Sequence, residues 1–296
     1  MKNTLFPFFN PVQLIGAFIY QKKSPKYNKA ENDLELKLYS EILHNDMLHF
    51  GYFDDIEISP EYISIGQLEN AQKRYTEIIV EHIIDKNSPV LDVGCGMGGL
   101  SNYLLKNGFD VEALTPDNNQ MQYIQRVYNH LPCHYCKFEE LKTDRKFGTV
   151  INSESLQYIS IDEACKKVEN IILPKGRWII TDCFRTNEES CSRSGHVLIH
   201  FLNKIKEHGW TICYQRDITM HILPMLKFIY MYVDRILIPL SHYAEEKLKY
   251  KKAWLYYLTG NLRKSISEKL KTKICAINPE VFLAEKKYMI FVLQRR

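Results

Sequence analysis

The chain of 296 residues lacks a long uncharged apolar run. Its longest apolar stretch, Ile222 to Leu240, is broken by Lys227, Asp234 and Arg235, charges that a membrane-spanning helix should not carry. Leu5 to Tyr20 is apolar and aromatic but holds Pro7, Asn10, Pro11 and Gln13, and it shows no good cleavage site, so no signal peptide is expected. Charge of one sign is scarce too. A net charge of +4 is too mild to mark a nucleic-acid face, and Lys247, Lys249, Lys251 and Lys252 read as a solvated helix face rather than a phosphate track. The eight cysteines show no framework spacing and read as reduced cytosolic thiols. Cys133 to Cys136 is a single C-x-x-C without a second pair or spaced histidines, so no metal is expected. With 45% hydrophobic and 25% charged residues and no low-complexity tract, these absences leave an ordinary globular protein, expected in the cytoplasm.

What is present concentrates between Val90 and Ser101. An apolar run, Val90-Leu91-Asp92-Val93, ends in four glycines within six residues, Gly94, Gly96, Gly98 and Gly99, and resumes as Tyr103-Leu104-Leu105. That is strand, tight turn and helix, with glycine permitting positive φ and close approach of a ligand to the backbone. The spacing departs from the dinucleotide pattern G-x-G-x-x-G. Phe109 to Leu114 reads as a second strand after Gly108, completing a βαβ crossover. Phe147 to Asn152, Trp178 to Asp182, Trp210 to Tyr214 and Tyr288 to Leu293 read as strands four, five, six and the last.

The phrase Asp92-Val93-Gly94-Cys95-Gly96-Met97-Gly98-Gly99 resembles the first motif of class I S-adenosylmethionine (SAM) dependent methyltransferases, whose turn wraps the methionine end of the cofactor. The resemblance implies an α/β fold: a Rossmann-like, doubly wound, seven-stranded, mostly parallel sheet with an antiparallel last strand. It implies cofactor contacts from Asp92, Gly94, Cys95, Gly96 and Gly98. Leu114-Thr115, with Gln120 five residues on, is similar to a narrower group that includes cyclopropane fatty acid synthases, sterol and tocopherol C-methyltransferases and some small-molecule O- and N-methyltransferases. In that group a threonine and a glutamine, here Thr115 and Gln120, lie beside the cofactor. Thr115 to Asn118 also read as the cap of the next helix. Cys136 to Leu141 resembles the segment after strand three, with Phe138 against the adenine ring and Glu139, or Glu140, near its amino group.

After strand four comes Ser153-Glu154-Ser155-Leu156-Gln157-Tyr158, at the carboxyl end where ligands of open α/β sheets bind. Many relatives carry a histidine base where this chain has Tyr158. A tyrosine, with an ordinary pKa near ~10, is a poor base at neutral pH but can donate a hydrogen bond or face a cation. Glu154 can act as a base or hold a positive charge, or serve as a structural carboxylate. Ser153 is expected at the cofactor. Leu48-His49-Phe50-Gly51-Tyr52 is similar to a segment that covers the cofactor in the narrower group, which makes His49 a catalytic and Tyr52 a cofactor-binding candidate; an aromatic loop packed on the core is the other reading.

The expected organisation is an N-terminal helical or lid segment over residues 1–60, a SAM-binding core over 61–215, a helical cap over 216–283, and the last strand over 284–296. The cap carries apolar stripes, Met225 to Leu240, Trp254 to Leu258, and Leu262 to Leu270, that are expected to pack as core and to roof an apolar acceptor pocket. The resemblance implies methyl transfer from SAM to a small, hydrophobic molecule, carbon ahead of nitrogen and oxygen. A cyclopropane-type lipid synthase and a catalytically silent SAM-binding module are the alternatives. No nucleic acid and no transmembrane segment are expected, while transient contact with a membrane surface stays open.

Overall fold

The computed structural model describes residues 11–24, 46–190 and 193–295, so most of the expected N-terminal segment lies outside the described residues. Seven strands, β1 (Val90–Val93), β2 (Val111–Thr115), β3 (Cys133–Tyr135), β4 (Phe147–Ser153), β5 (Ile172–Arg185), β6 (Trp210–Asp217) and β7 (Lys286–Arg295), form one sheet. Their order is β3-β2-β1-β4-β5-β7-β6. β1 pairs in parallel with β2 and β4, β2 with β3 and β4 with β5, while β7 runs antiparallel to both β5 and β6. This is the expected sheet. β5 begins earlier than the sequence suggests because Phe147 of β4 pairs with Ile172 across an irregularity in register.

Both faces of the sheet are covered, as the apolar strand sequences require. Side chains alternate between the faces. On β7, Tyr288, Ile290 and Val292 join one buried cluster, while Phe291 and Leu293 join the other. The first cluster includes Tyr75, Ile78 and Ile79 of α2 (Ile65–Val80), a helix opened by a capping box between Ser64 and Gln67. α3 (Gly99–Lys106) and α4 (Asn118–Val127) add Leu104 and Ile124 to the same face. The second cluster is covered by α5 (Ile161–Ile171) and α6 (Leu198–Glu207) through Val168 and Phe201. α1 (Pro11–Lys23) buries none of its residues.

Helices do fill the interval between β6 and β7, and they divide in two. α7 (Thr219–Tyr232) sinks Ile222, Leu223, Met225 and Leu226 into the core. A π turn over Val233–Leu237 leads into α8 (Ile238–Lys251), followed by α9 (Ala253–Leu258), α10 (Gly260–Ile277) and α11 (Pro279–Glu285). α8, α9 and α10 bury no residue at all. Of the stripes expected to pack as core, the start of the first does so through Met225 and Ile229, while the rest do not: Leu240, Leu258 and Leu262 are 57%, 68% and 60% exposed. Periodicity marks one helix face as apolar but does not supply an element to meet it.

Candidate functional site

The chain order places β1 beside β2 on one side and β4 on the other, so the loops leaving β1 and β4 diverge and open a crevice at their carboxyl ends. Gly94, Gly96 and Gly98 hold φ of +72°, +59° and +87°. A Cβ on Gly94 would stand 2.4 Å from Ser155 Cβ, so the β4 loop closes directly on the turn. On Gly96 a Cβ would project toward Leu48, 3.5 Å from its Cδ1. The Gly96 amide finds no acceptor among the described residues. A cavity of about 450 Å³ lies between this turn, the ends of β2 and β4, and a strap formed by residues 46–49.

Twelve of the fourteen anticipated site residues line that cavity. Asp92, Gly94, Cys95 and Gly96 form the floor; Thr115 and Gln120 one wall; Phe138 and Glu139 the next; Ser153, Glu154 and Tyr158 the far side; His49 the roof. Thr115 donates its hydroxyl hydrogen to Gln120 Oε1 at 2.6 Å and accepts the Asp117 amide at 3.1 Å. Asp117 caps α4 through the Gln120 amide, so capping and presentation use different atoms. Gln120 Oε1 is thereby occupied, and its Nε2 has no partner among the described residues. Asp92 accepts from Ser101 Oγ at 2.6 Å, yet burial pushes its carboxyl up to about 6.

Glu154 sits in the left-handed region at φ +54°, a costly conformation for a residue with a Cβ, which fixes the side chain against the strap. Its Oε1 accepts from the Phe50 amide at 2.7 Å and from the Tyr288 hydroxyl. Its Oε2 has no partner among the described residues and is not sealed from the cavity. Desolvation is the largest influence and raises the carboxyl to about 7, against the pull of the Tyr288 and Phe50 hydrogen bonds. Tyr288 also meets the Tyr75 hydroxyl at 3.0 Å, and Tyr75 meets Ser153 Oγ at 3.1 Å, linking Glu154 to Ser153 through two buried phenols. Behind them Asp182, buried and likewise raised to about 7, holds the Gln157 amide at 3.0 Å. The crevice is thus backed by three carboxyls whose charge is poorly solvated, an environment that a cationic ligand would relieve.

His49 lies in the roof with both ring nitrogens engaged. Its Nδ1 lies 2.8 Å from the Phe50 carbonyl and its Nε2 3.3 Å from Thr76 Oγ1, so a neutral ring with the proton on Nδ1 satisfies both. Burial lowers it to about 4, and it stacks on Tyr75 at 4.2 Å. Tyr158 is 75% exposed at the rim. Two of the fourteen lie outside the lining. Gly98 does not line the cavity but serves as the left-handed N-cap of α3. Tyr52 is likewise absent from the cavity wall: its ring stacks on His221 at 4.1 Å, and its hydroxyl accepts from Arg216 at 2.6 Å. It anchors the strap outside the cavity because the next residue, Phe53, bonds through its amide to His221 O.

Other participants carry no local signature. Tyr288 is separated from Glu154 by 134 residues and Tyr75 from Ser153 by 78. Asp46 accepts hydroxyl hydrogens from both Tyr123 and Tyr128, and Gln72 Nε2 donates to Met47 O at 2.6 Å and His49 O at 2.9 Å, so the strap is tied at three of its four residues. Only the nearness of Asp46 to the His49 phrase could have flagged it.

Residues 90–176 match the family model of a methyltransferase domain. The ubiquinone biosynthesis O-methyltransferase of Rickettsia bellii is 28% identical over 166 residues, covering 53% of this chain; the chain spans 65% of that relative's length. Among solved structures, the [4+2]-cyclase SpnF superposes with a TM-score of 0.64 at 16% identity, over 89% of this chain and 93% of that one. The geranyl diphosphate C-methyltransferase of Streptomyces coelicolor A3(2), solved with Mg2+, geranyl diphosphate and S-adenosyl-L-homocysteine, gives 0.60 at 15% identity, over 84% and 90%. At such identities the structural likeness speaks for the fold.

Proposed function

We propose that this chain, which belongs to the class I SAM-dependent methyltransferases, transfers a methyl group to a small lipophilic molecule and places Glu154 at the transfer. The observation that carries the reading is the pairing of a bare glycine turn with the unpartnered Oε2 of a carboxyl held near pH 7.

The residues present fit the cofactor. The open Gly96 amide suits a carboxylate, the free Gln120 Nε2 a ribose hydroxyl, and Phe138 with Glu139 an adenine ring and its amino group. SAM supplies a methyl already made electrophilic by its sulfonium. The chain's own task is to align the acceptor, exclude water and manage a proton or a positive charge, and alignment alone can lower a barrier by ~7–11 kcal/mol. A carboxyl near 7 is matched to neutral pH as a proton acceptor, and once ionised it can hold a cationic acceptor. Among the described residues lining the cavity the one histidine is His49, and both its ring nitrogens are engaged.

We place carbon ahead of oxygen as the accepting atom, because an ionised carboxylate suits a cationic intermediate that sheds its proton late. The second reading, transfer to an acidic hydroxyl, is favoured by the same raised carboxyl and by the name of the Rickettsia relative. The cytoplasm is our placement, on seven described cysteines that are all free thiols. The organisation into a core at 61–215 and a helical insertion at 216–283 belongs to this proposal, with one change: no insertion residue lines the cavity, so the acceptor enters under the strap.

The test is incubation with methyl-labelled SAM and an organic extract, followed by mass spectrometry and carbon NMR of the labelled product. A labelled carbon bonded to carbon supports the first reading and a methoxyl signal the second. SAM binding with no labelled product in any extract would instead favour a silent binding module.

A further inference from the structure

We propose that the exposed apolar faces of helices α1 and α8 to α10 dock on an anionic lipid bilayer. Two separate parts of the chain present apolar side chains that no described residue buries. α1 exposes Leu14, Ile15, Phe18 and Ile19 at 51%, 60%, 58% and 46%, and ends in Lys22 and Lys23. α8 to α10 bury no residue, yet Leu262, Ile266 and Leu270 recur at four-residue intervals with 60%, 48% and 45% exposure. Lys269 and Lys273 fall on that same face by helical spacing. Trp254 and Tyr257 of α9, 40% and 84% exposed, add the amphipathic rings that favour a bilayer interface.

Charge selects the partner. Residues 238–277 carry nine Lys and Arg against three Glu, whereas the whole chain carries 39 basic against 35 acidic residues, leaving the remainder at 30 against 32. The excess positive charge of the protein is therefore concentrated on the helices whose apolar faces lack a cover. A second copy of the chain would bring like charge against like, while an anionic headgroup layer neutralises it. Among the described residues no helix is long and apolar enough to cross a membrane, so the geometry is that of helices lying in the interface, with lysine stems along the apolar boundary. The inference stands apart from methyl transfer.

The experiment is flotation of the full chain, without SAM, on vesicles of phosphatidylcholine alone and of phosphatidylcholine mixed with phosphatidylglycerol. The expected result is flotation with the anionic vesicles, abolished near ~1 M salt where charges are screened beyond ~3 Å. Ile266→Glu, and separately Lys269→Glu, should each lower the partition coefficient about tenfold or more while the thermal midpoint and SAM affinity stay at wild-type values. Absence of flotation on anionic vesicles overturns the proposal. So does salt-independent flotation, equal on both vesicle types, or a stable dimer that dissociates on Ile266→Glu without any vesicle binding.

Discussion

Replacing Glu154 by Gln separates the two things its carboxyl does. Oε1 accepts from the Phe50 amide and the Tyr288 hydroxyl, and a glutamine can present the same carbonyl oxygen to both, so the strap should stay tied. What the substitution removes is the ionisation. The carboxyl stands at about 7 in the fold against an ordinary 4.5, a raised value, so its contribution to stability is present in full below 4.5 and is lost as pH rises through 7. At 1.36 kcal/mol per unit that shift corresponds to about 3 kcal/mol as an upper bound. In a chain of this size, about 3 kcal/mol moves a melting midpoint by roughly 6 °C. Thermal unfolding of both proteins from pH 5 to pH 9 should therefore converge at the acid end, with the Gln variant ahead by several degrees at the alkaline end. Asp182 and Asp92 keep a residual slope in both, since they are raised to about 7 and about 6. Parallel curves, or a variant already several degrees lower at pH 5, would refute the assignment of Glu154 as the desolvated acid tied through Oε1. Glu154→Ala is the contrast: it strands the Phe50 amide at ~1–3 kcal/mol, leaves the Tyr288 hydroxyl with Tyr75 alone, and should be destabilised at every pH.

Further outcomes follow from the same geometry. SAM affinity, read by calorimetry, should rise between pH 6 and pH 8 as the buried carboxyls ionise for a cation, and Tyr288→Phe should move that rise to higher pH because a hydrogen bond favouring the charged Glu154 is gone. Gly96→Val places a branched side chain at φ +59° facing Leu48, so SAM binding should fall at least tenfold, with a stability loss of ~1–2 kcal/mol in thermal unfolding. His49→Gln should lower stability by about 1–3 kcal/mol through Thr76 and the Phe50 carbonyl, yet leave the pH profile of kcat unmoved; a lost limb would restore His49 as a base. Asp46→Ala removes both acceptor oxygens that Tyr123 and Tyr128 share and should raise the SAM Kd several-fold by loosening the strap, with the melting curve showing at most a small shift.

Much of the site could be read locally because its cofactor side is built from consecutive residues. Asp92 to Gly98 carry their own turn, Thr115 to Gln120 their own cap, and Phe138-Glu139 a short helical turn, so each phrase reaches the cavity with little help from elsewhere. The acceptor side is different. Glu154 was visible as a candidate, but its value depends on Tyr288 from the last strand and Phe50 from the strap, residues that nothing in the chain pairs with it. Where Tyr52 points was not legible, because an aromatic beside a recognised phrase can face either way, and here it stacks on His221 and bonds Arg216 outside the cavity.

The sequence by itself determined the alternation of strands and helices, the glycine turn and the cofactor it suits, because backbone conformation and hydrophobic period act over a few residues. Only the tertiary structure decided which carboxyl is desolvated, which histidine is silenced and which apolar stripes remain uncovered. Desolvation and burial are set by whatever element arrives on the other side, and that element can lie a hundred residues away.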